Sequence, residues 1–364
     1  MTAHDAAQKR GRTRFERSDL ILFAACAAGV LLAWLTNGQG SVLAFVLAGV
    51  AVAALAALVG RAVEQLGDRF GPGATGVLQS ALGNLPELFI ALFALQAGLV
   101  QVVQAALIGS ILANLLLVLG LSFLVGGLKH GTQRLDSERA QFIGVMLFVS
   151  VGAMVLPSLA YYLHTPASEH ETTLSMIAAV VLLALFALSL PASIRKADLP
   201  QAVPGEAKEA PRWSLPVAIG LLAVAAVAAA FVSDWFVQAL EPAMHALNIS
   251  EAFSGLVIVA IAGNAIENFV GLQLAAKNQS EMAFAVVINS PLQIALVLAP
   301  VLVIASNLFG FASLTLVFSP MLVMAVLVAV LLTTIITFDG RSNWLEGAAL
   351  IGLYCIIAAS FWWG

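Results

Sequence analysis

Charge is scarce in this chain. Asp, Glu, Lys and Arg make up 10% of its 364 residues, where a soluble protein carries roughly 25%. No polar stretch is long enough for a nucleotide-binding domain, and no Gly-x4-Gly-Lys-Ser/Thr loop occurs, so ATP-driven work by this chain alone is not expected. Cysteine is rare too. Cys26 and Cys355 both fall inside apolar runs, which argues against a disulfide framework or a thiolate metal site. The net charge of −4 says little about partners, because the placement of charges matters more than their sum. No cofactor, no nucleic-acid partner and no enzymatic activity are expected.

What the chain has is hydrophobic residues, 61% of the total. A run must hold about 20 residues to cross the hydrocarbon core of a bilayer. Eleven such runs are read, over 19–36, 41–60, 74–97, 101–127, 140–162, 172–192, 214–240, 251–276, 282–308, 312–337 and 344–363. The first follows Lys9, Arg10, Arg12, Arg14 and Arg17 and resembles a signal peptide. It lacks a small-residue cleavage site and is long for an h-region, so it is kept as a span. With the N-terminus in the cytoplasm, all 16 Lys and Arg fall on cytoplasmic segments. The external loops near 37–40, 98–100, 163–171, 241–250 and 309–311 have none, as the positive-inside rule requires. The C-terminus is then external. The expected fold is an all-α polytopic membrane protein of eleven transmembrane helices. The expected location is a prokaryotic inner membrane, and a homo-oligomer is compatible with it.

Two pentapeptides lie inside these runs, 180 residues apart. Gly83-Asn84-Leu85-Pro86-Glu87 recurs as Gly263-Asn264-Ala265-Ile266-Glu267. A carboxylate deep in a lipid-embedded helix costs about 2.5 kcal/mol or more, so a duplicated pair points to an ion site. At the same offset Phe89 matches Phe269, Ser110 matches Ser290 and Leu112 matches Leu292. Runs 2–6 and 7–11 therefore read as two five-helix repeats. Five crossings each make the second inverted relative to the first, as in many secondary transporters. The expected organisation is a cytoplasmic segment 1–18, an extra helix 19–36, a first repeat 41–192, a cytoplasmic linker 193–213 and a second repeat 214–363.

Each glutamate helix is followed by a helix with its own polar set. In the first half this is Ser110 and Asn114; in the second it is Asn289, Ser290 and Gln293. Spacings of three and four place such residues on one helix face. Pro86 and Pro291 lack an N–H, which frees the carbonyls of Leu82 and Val287. Gly83 and Gly263 weaken the helix just before each carboxylate. The donor set is carboxylate, amide oxygen, hydroxyl and carbonyl, with no His or Cys near the motifs, which favours Ca²⁺ or Na⁺ over zinc or copper. Desolvation disfavours a lone ionised carboxylate, so a buried glutamate exchanges a cation for a proton. That is the chemistry of a cation/proton antiporter.

The stretches GNLPELFIALFAL and GSILANLLLVLG, GNAIENFVGLQLA and NSPLQIALVLAP, and FDGRSNWLEG resemble the Ca²⁺/H⁺ antiporter (CAX) branch of the cation/Ca²⁺ exchanger superfamily over nearly the whole chain. The resemblance implies eleven helices, the first outside two inverted repeats. It implies that Glu87 and Glu267 bind cation and proton, that Asn84 and Asn264 flank them, and that Ser110, Asn114, Asn289, Ser290 and Gln293 are the polar positions of the partner helices. Two departures stand out. Many such antiporters have His after the second glutamate, where this chain has Asn268, and a small polar residue after the serine, where it has Pro291.

The expectation is thus Ca²⁺ exchanged for H⁺ by alternating access at a site built from Glu87 and Glu267, with the bilayer as surroundings. The rival of the same class is a Na⁺/Ca²⁺ or monovalent cation/H⁺ exchanger. Sodium exchangers tend to carry Thr-Ser where this chain has Gly-Asn. The rival of another class is a cation channel.

Overall fold

The computed structural model describes residues 13, 15–70, 82–197 and 212–363. Most of the linker and of the N-terminal segment, and the first part of the run over 74–97, lie outside the described residues. The described residues are overwhelmingly helical. In chain order they form α1 Arg17–Thr36, α2 Val42–Phe70, α3 Leu85–Gln96, α4 Val100–Leu112, α5 Leu119–His130, α6 Ser137–Tyr162, α7 Glu171–Ala197 and α8 Leu215–Leu247. There follow α9 Glu251–Phe253, α10 Ala260–Gly263, α11 Ala265–Ala276, α12 Ser280–Gln293, α13 Ala299–Leu308, α14 Pro320–Thr337 and α15 Trp344–Ser360. A two-stranded ribbon pairs β1 Gln133–Arg134 with β2 Arg341–Ser342.

Eight helices among the described residues are long and apolar enough to cross a membrane, and a bent pair makes a ninth. Two shorter apolar helices, α3 and α15, stand at the third and eleventh expected runs. Helix ends are set by local chemistry. Asp136 accepts the N–H groups of Glu138 and Arg139 to start α6. Asn343 and Glu346 form a reciprocal capping box that starts α15.

Three departures from regular helix were not expected. α4 runs into α5 through a π-helical turn over Ala113–Val118. α12 runs into α13 through another over Ile294–Leu298, close to the offset that separates the two motifs. A third, over Ser254–Val259, joins α9 to α10. Such a turn inserts one residue into the ladder and rotates the helix beyond it, and these turns cluster at functional sites.

Two expected spans need correction. The run over 251–276 is not one straight helix: it breaks at Gly263-Asn264 and bends by 62°. The run over 312–337 becomes helical only at Pro320. Residues Leu314, Leu316 and Phe318 are buried at every second position, the period of an extended chain. Its backbone groups are met by side chains. Ser306, Ser175 and Ser158 accept the N–H groups of Leu314, Leu316 and Phe318 at 3.1, 2.9 and 2.9 Å. The Gln104 amide donates to the carbonyls of Thr315 and Val317, both at 3.0 Å. Extended backbone survives at membrane depth only when buried and hydrogen-bonded in this way.

The chain divides into two compact units. The first holds residues up to Ile90 and Phe186–Ala243; the second holds Ala91–Leu185 and Met244–Gly364. In the first unit Phe45 of α2 stacks on Phe236 of α8 with centroids 4.7 Å apart. Near the start of α1, Asp19 is buried. It accepts from the Trp213 indole at 3.2 Å and pairs with Arg61 at 3.4 Å. Gln65 accepts the N–H groups of Arg212 and Trp213 at 2.7 and 3.1 Å, so the residues leading into α8 are pinned to the end of α2. In the second unit α4 crosses the π turn 254–259 at backbone contact. A Cβ on Gly109 would overlap the Leu256 carbonyl oxygen, and one on Gly255 would overlap that of Val102. Only glycine permits that approach.

Candidate cation site

Both glutamates occupy the same local structure. α3 begins at Leu85 and α11 at Ala265, so Glu87 and Glu267 each stand in the first turn of a short helix. That end carries the positive pole of the helix dipole and favours negative charge. In the second copy the preceding helix α10 ends at Gly263, and Asn264, at φ −95° and ψ 20°, makes the break. The N–H of Leu88 donates to the Asn84 carbonyl and that of Asn268 to the Asn264 carbonyl, at 2.9 and 3.1 Å, so the first turn closes alike in both copies. One expectation is corrected by this geometry: Pro86 does not free the Leu82 carbonyl by interrupting a helix. It is the second residue of α3, where its missing N–H costs nothing. Pro291 does lie inside α12, three residues before the π turn.

Four polar side chains of the second unit converge. Asn114 donates to Asn264 Oδ1 at 2.8 Å and to Ser290 Oγ at 3.3 Å. Asn264 donates to Ser110 Oγ at 2.9 Å, and Ser290 Oγ donates to Asn264 Oδ1 at 3.1 Å. Each amide also bonds back to its own helix: Asn114 to the Ser110 carbonyl and Asn264 to that of Ala260, both at 2.9 Å. Asn114 and Asn264 are 0% and 1% exposed, and Ser110 and Ser290 are buried as well. The cluster therefore joins α4, its π turn, the break before α11, and α12. Within it Asn114 Oδ1 is buried and has no hydrogen-bond partner among the described residues.

The other expected residues are placed as follows. Glu267 and Asn289 are half-buried and sit on α11 and α12, without a bond to the four-residue cluster; Gln293 is half-buried at the end of α12. Gly263 is buried at the end of α10. Glu87 is buried in the first unit, where Leu82, Gly83 and Asn84 are half-buried. Among the described residues no cluster of three or more His, Cys, Asp or Glu is present. The three π turns were not legible in the sequence, because nothing in local composition marks an i to i+5 bond. Ser122 of α5 is a further fully buried hydroxyl without a partner among the described residues.

Residues 40–195 and 217–363 match the family described as sodium/calcium exchanger protein. A Ca²⁺/H⁺ antiporter of Synechocystis is 36% identical over 94% of this chain and 96% of its own length. The Ca²⁺/H⁺ antiporter ChaA of Bacillus subtilis is 38% identical over 94% and 98%. Among solved structures, native YfkE superposes with a TM-score of 0.79 at 34% identity, covering 94% of this chain and 99% of that one. The H⁺/Ca²⁺ exchanger CAX shares the fold with a TM-score of 0.71 at 19% identity, over 96% and 93%.

Proposed function

The chain belongs to the sodium/calcium exchanger protein family, and on that premise we propose that it exchanges Ca²⁺ for H⁺ at a site built on Glu87 and Glu267. It is a multi-pass membrane transporter. One observation carries the site: the two carboxylates occupy the first turns of two short helices one repeat length apart, starting at Leu85 and Ala265. The relatives named as Ca²⁺/H⁺ antiporters, alike over nearly their full length, support the choice of ions.

The proposed chemistry follows from the donors. Two ionised carboxylates neutralise one divalent cation, and Asn114 Oδ1 adds a neutral oxygen ligand. The cluster of Ser110, Asn114, Asn264 and Ser290 fixes the direction of that oxygen. Protons arriving from the other side neutralise the carboxylates and release the ion. Two protons per Ca²⁺ make the cycle electroneutral, whereas a third would add about 2.3 kcal/mol per 100 mV of membrane potential.

The proposed topology is eleven spans, with the N-terminus cytoplasmic and two inverted repeats after the first span. The two π turns at 113–118 and 294–298 support the repeat, because they recur close to the offset of the motifs. Alternating access requires moving elements, and the first and sixth spans, over 19–36 and 172–192, are the proposed ones.

The test is ⁴⁵Ca²⁺ uptake into proteoliposomes under an imposed pH gradient, with and without Na⁺, for the wild type and Glu267→Gln. Uptake driven by the proton gradient alone and lost in the variant is the expected result. Uptake that requires Na⁺ would move the chain to Na⁺/Ca²⁺ exchange.

A further inference from the structure

The β1–β2 ribbon carries two arginines that no acidic side chain among the described residues neutralises. In its antiparallel register Gln133 faces Ser342 and Arg134 faces Arg341. Gln133 and Ser342 point inward, at 3% and 1% exposure. Arg134 and Arg341 point outward and are exposed. Residues directly opposite in such a pair have Cβ atoms about 4.5–5.5 Å apart, and like charges there repel. A ladder of two residues has little to set against that repulsion.

The carboxylates close in sequence make other contacts or none, and neither Glu138 nor Asp339 forms an ion pair with either arginine among the described residues. Asp136 caps α6. Asp339 accepts the backbone N–H of Arg341 at 2.9 Å. Glu281 pairs with Arg139 at 3.6 Å and accepts the N–H of Asp136 at 2.6 Å. Glu346 accepts the N–H of Asn343 at 3.0 Å. Among the described residues neither Arg134 nor Arg341 forms an ion pair. The ribbon is nonetheless held in place, because Leu135 N–H continues the ladder to the Gly340 carbonyl at 2.8 Å. Two adjacent guanidinium forks on a fixed support match the oxygens of a phosphate.

The surroundings say which phosphate. β2 leads within two residues into α15, an apolar helix whose first residues Trp344 and Leu345 are 48% and 62% exposed. Leu128, near the end of α5, is 66% exposed. An exposed Trp at the mouth of an apolar helix marks the level of lipid headgroups. The arginines therefore lie where helix gives way to polar loop, at the depth of a phosphodiester.

We propose that Arg134 and Arg341 together clamp the phosphate of an anionic membrane lipid, with Trp344 and Leu345 against its glycerol and upper acyl carbons. The ligand class is an anionic phospholipid such as phosphatidylglycerol. This reading stands apart from the ion site.

Native mass spectrometry of the purified full-length protein tests it, with phosphatidylglycerol or phosphatidylcholine added in detergent and inorganic phosphate as competitor. The wild type is expected to retain phosphatidylglycerol in preference to phosphatidylcholine. Arg134→Gln or Arg341→Gln is expected to weaken retention about fivefold each, from the usual worth of one basic residue near an anionic surface. The charge-keeping double variant Arg134→Lys/Arg341→Lys retains more than the double glutamine variant, which guards against a folding defect. Equal retention of the two lipids by the wild type would overturn the proposal, and so would unchanged retention in the double glutamine variant. Displacement by millimolar inorganic phosphate would assign the clamp to the free ion and overturn the lipid reading.

Discussion

Replacing Asn264 by alanine tests whether the amide cluster is a structural clasp as well as part of the proposed ion site. The side chain makes three bonds across helices, to Asn114, Ser110 and Ser290, at 2.8, 2.9 and 3.1 Å. Hydrogen bonds between membrane helices average about 0.6 kcal/mol each, so their loss costs about 2 kcal/mol. For a unit of roughly two hundred residues each kcal/mol moves the midpoint by about 2–4 °C, which gives a fall of roughly 4–8 °C. The measurement is thermal unfolding of the detergent-purified protein without Ca²⁺, where ion binding contributes nothing. Asn289→Ala is the control: Asn289 is half-buried on the same α12 as Ser290 but has no bond to the cluster, and it should move the midpoint by less than half as much. Equal midpoints for Asn264→Ala and the wild type would refute the reasoning and return Asn264 to a plain ligand role.

Three further substitutions probe the scaffold. Gly255→Ala drives a methyl into the Val102 carbonyl oxygen and to 2.8 Å from Ala105 Cβ, and overpacking of this kind costs about 1–3 kcal/mol or more. Its folded yield by size exclusion should fall well below that of Gly352→Ala, whose new Cβ meets nothing within 4 Å. Ser158→Ala removes a hydroxyl that donates to the Leu316 carbonyl and accepts from Phe318 N–H, both at 2.9 Å. Orphaning buried backbone groups costs about 1–3 kcal/mol, read as a lower unfolding midpoint. Asp19→Ala strips the Trp213 indole of its acceptor while Arg61 keeps Glu64. Tryptophan emission in a variant retaining only Trp213 should shift to the red, and Asp19→Asn should shift it less.

The membrane class, the helical runs and the paired motifs were legible because each rests on one-dimensional signals: apolar length, charge sidedness and repetition. The runs over 19–36, 140–162 and 282–308 meet helices at Arg17–Thr36, Ser137–Tyr162 and Ser280–Leu308. The run over 312–337 departs from the expected helix before Pro320 because hydropathy does not distinguish an apolar strand from an apolar helix. What makes Leu314–Phe318 extended lies elsewhere in the chain, in Ser158, Ser175 and Gln104. The alternation Leu-Thr-Leu-Val-Phe was a weak local hint. In the site, the sharing of faces by Ser110 and Asn114 was legible from spacing, whereas the bond from Asn114 to Asn264 depends on a tertiary crossing that spacing cannot reveal.

The two pentapeptides agree in their Asn and their carboxylate, whereas the helices that follow them differ in their amides, and the packing explains part of the difference. Asn289 corresponds at the offset of 180 to Gly109, Gln293 to Ala113, and Asn114 to Ile294. Position 109 cannot carry an amide, since even a Cβ there would overlap the Leu256 carbonyl oxygen. Ala113 is fully buried at the start of the π turn, which leaves little room for a longer side chain. The stretch around α4 thus lacks amides at 109 and 113, where helices cross, and carries one at the next residue, Asn114. That residue bonds to Ser290 and Asn264 of the other half, while its own counterpart Ile294 is an apolar side chain, fully buried. In the exchange proposed above, the two carboxylates would together balance the charge of a divalent ion. Neutral oxygens in such a proposed shell need only sum to a coordination number, so packing is free to decide which helix carries them.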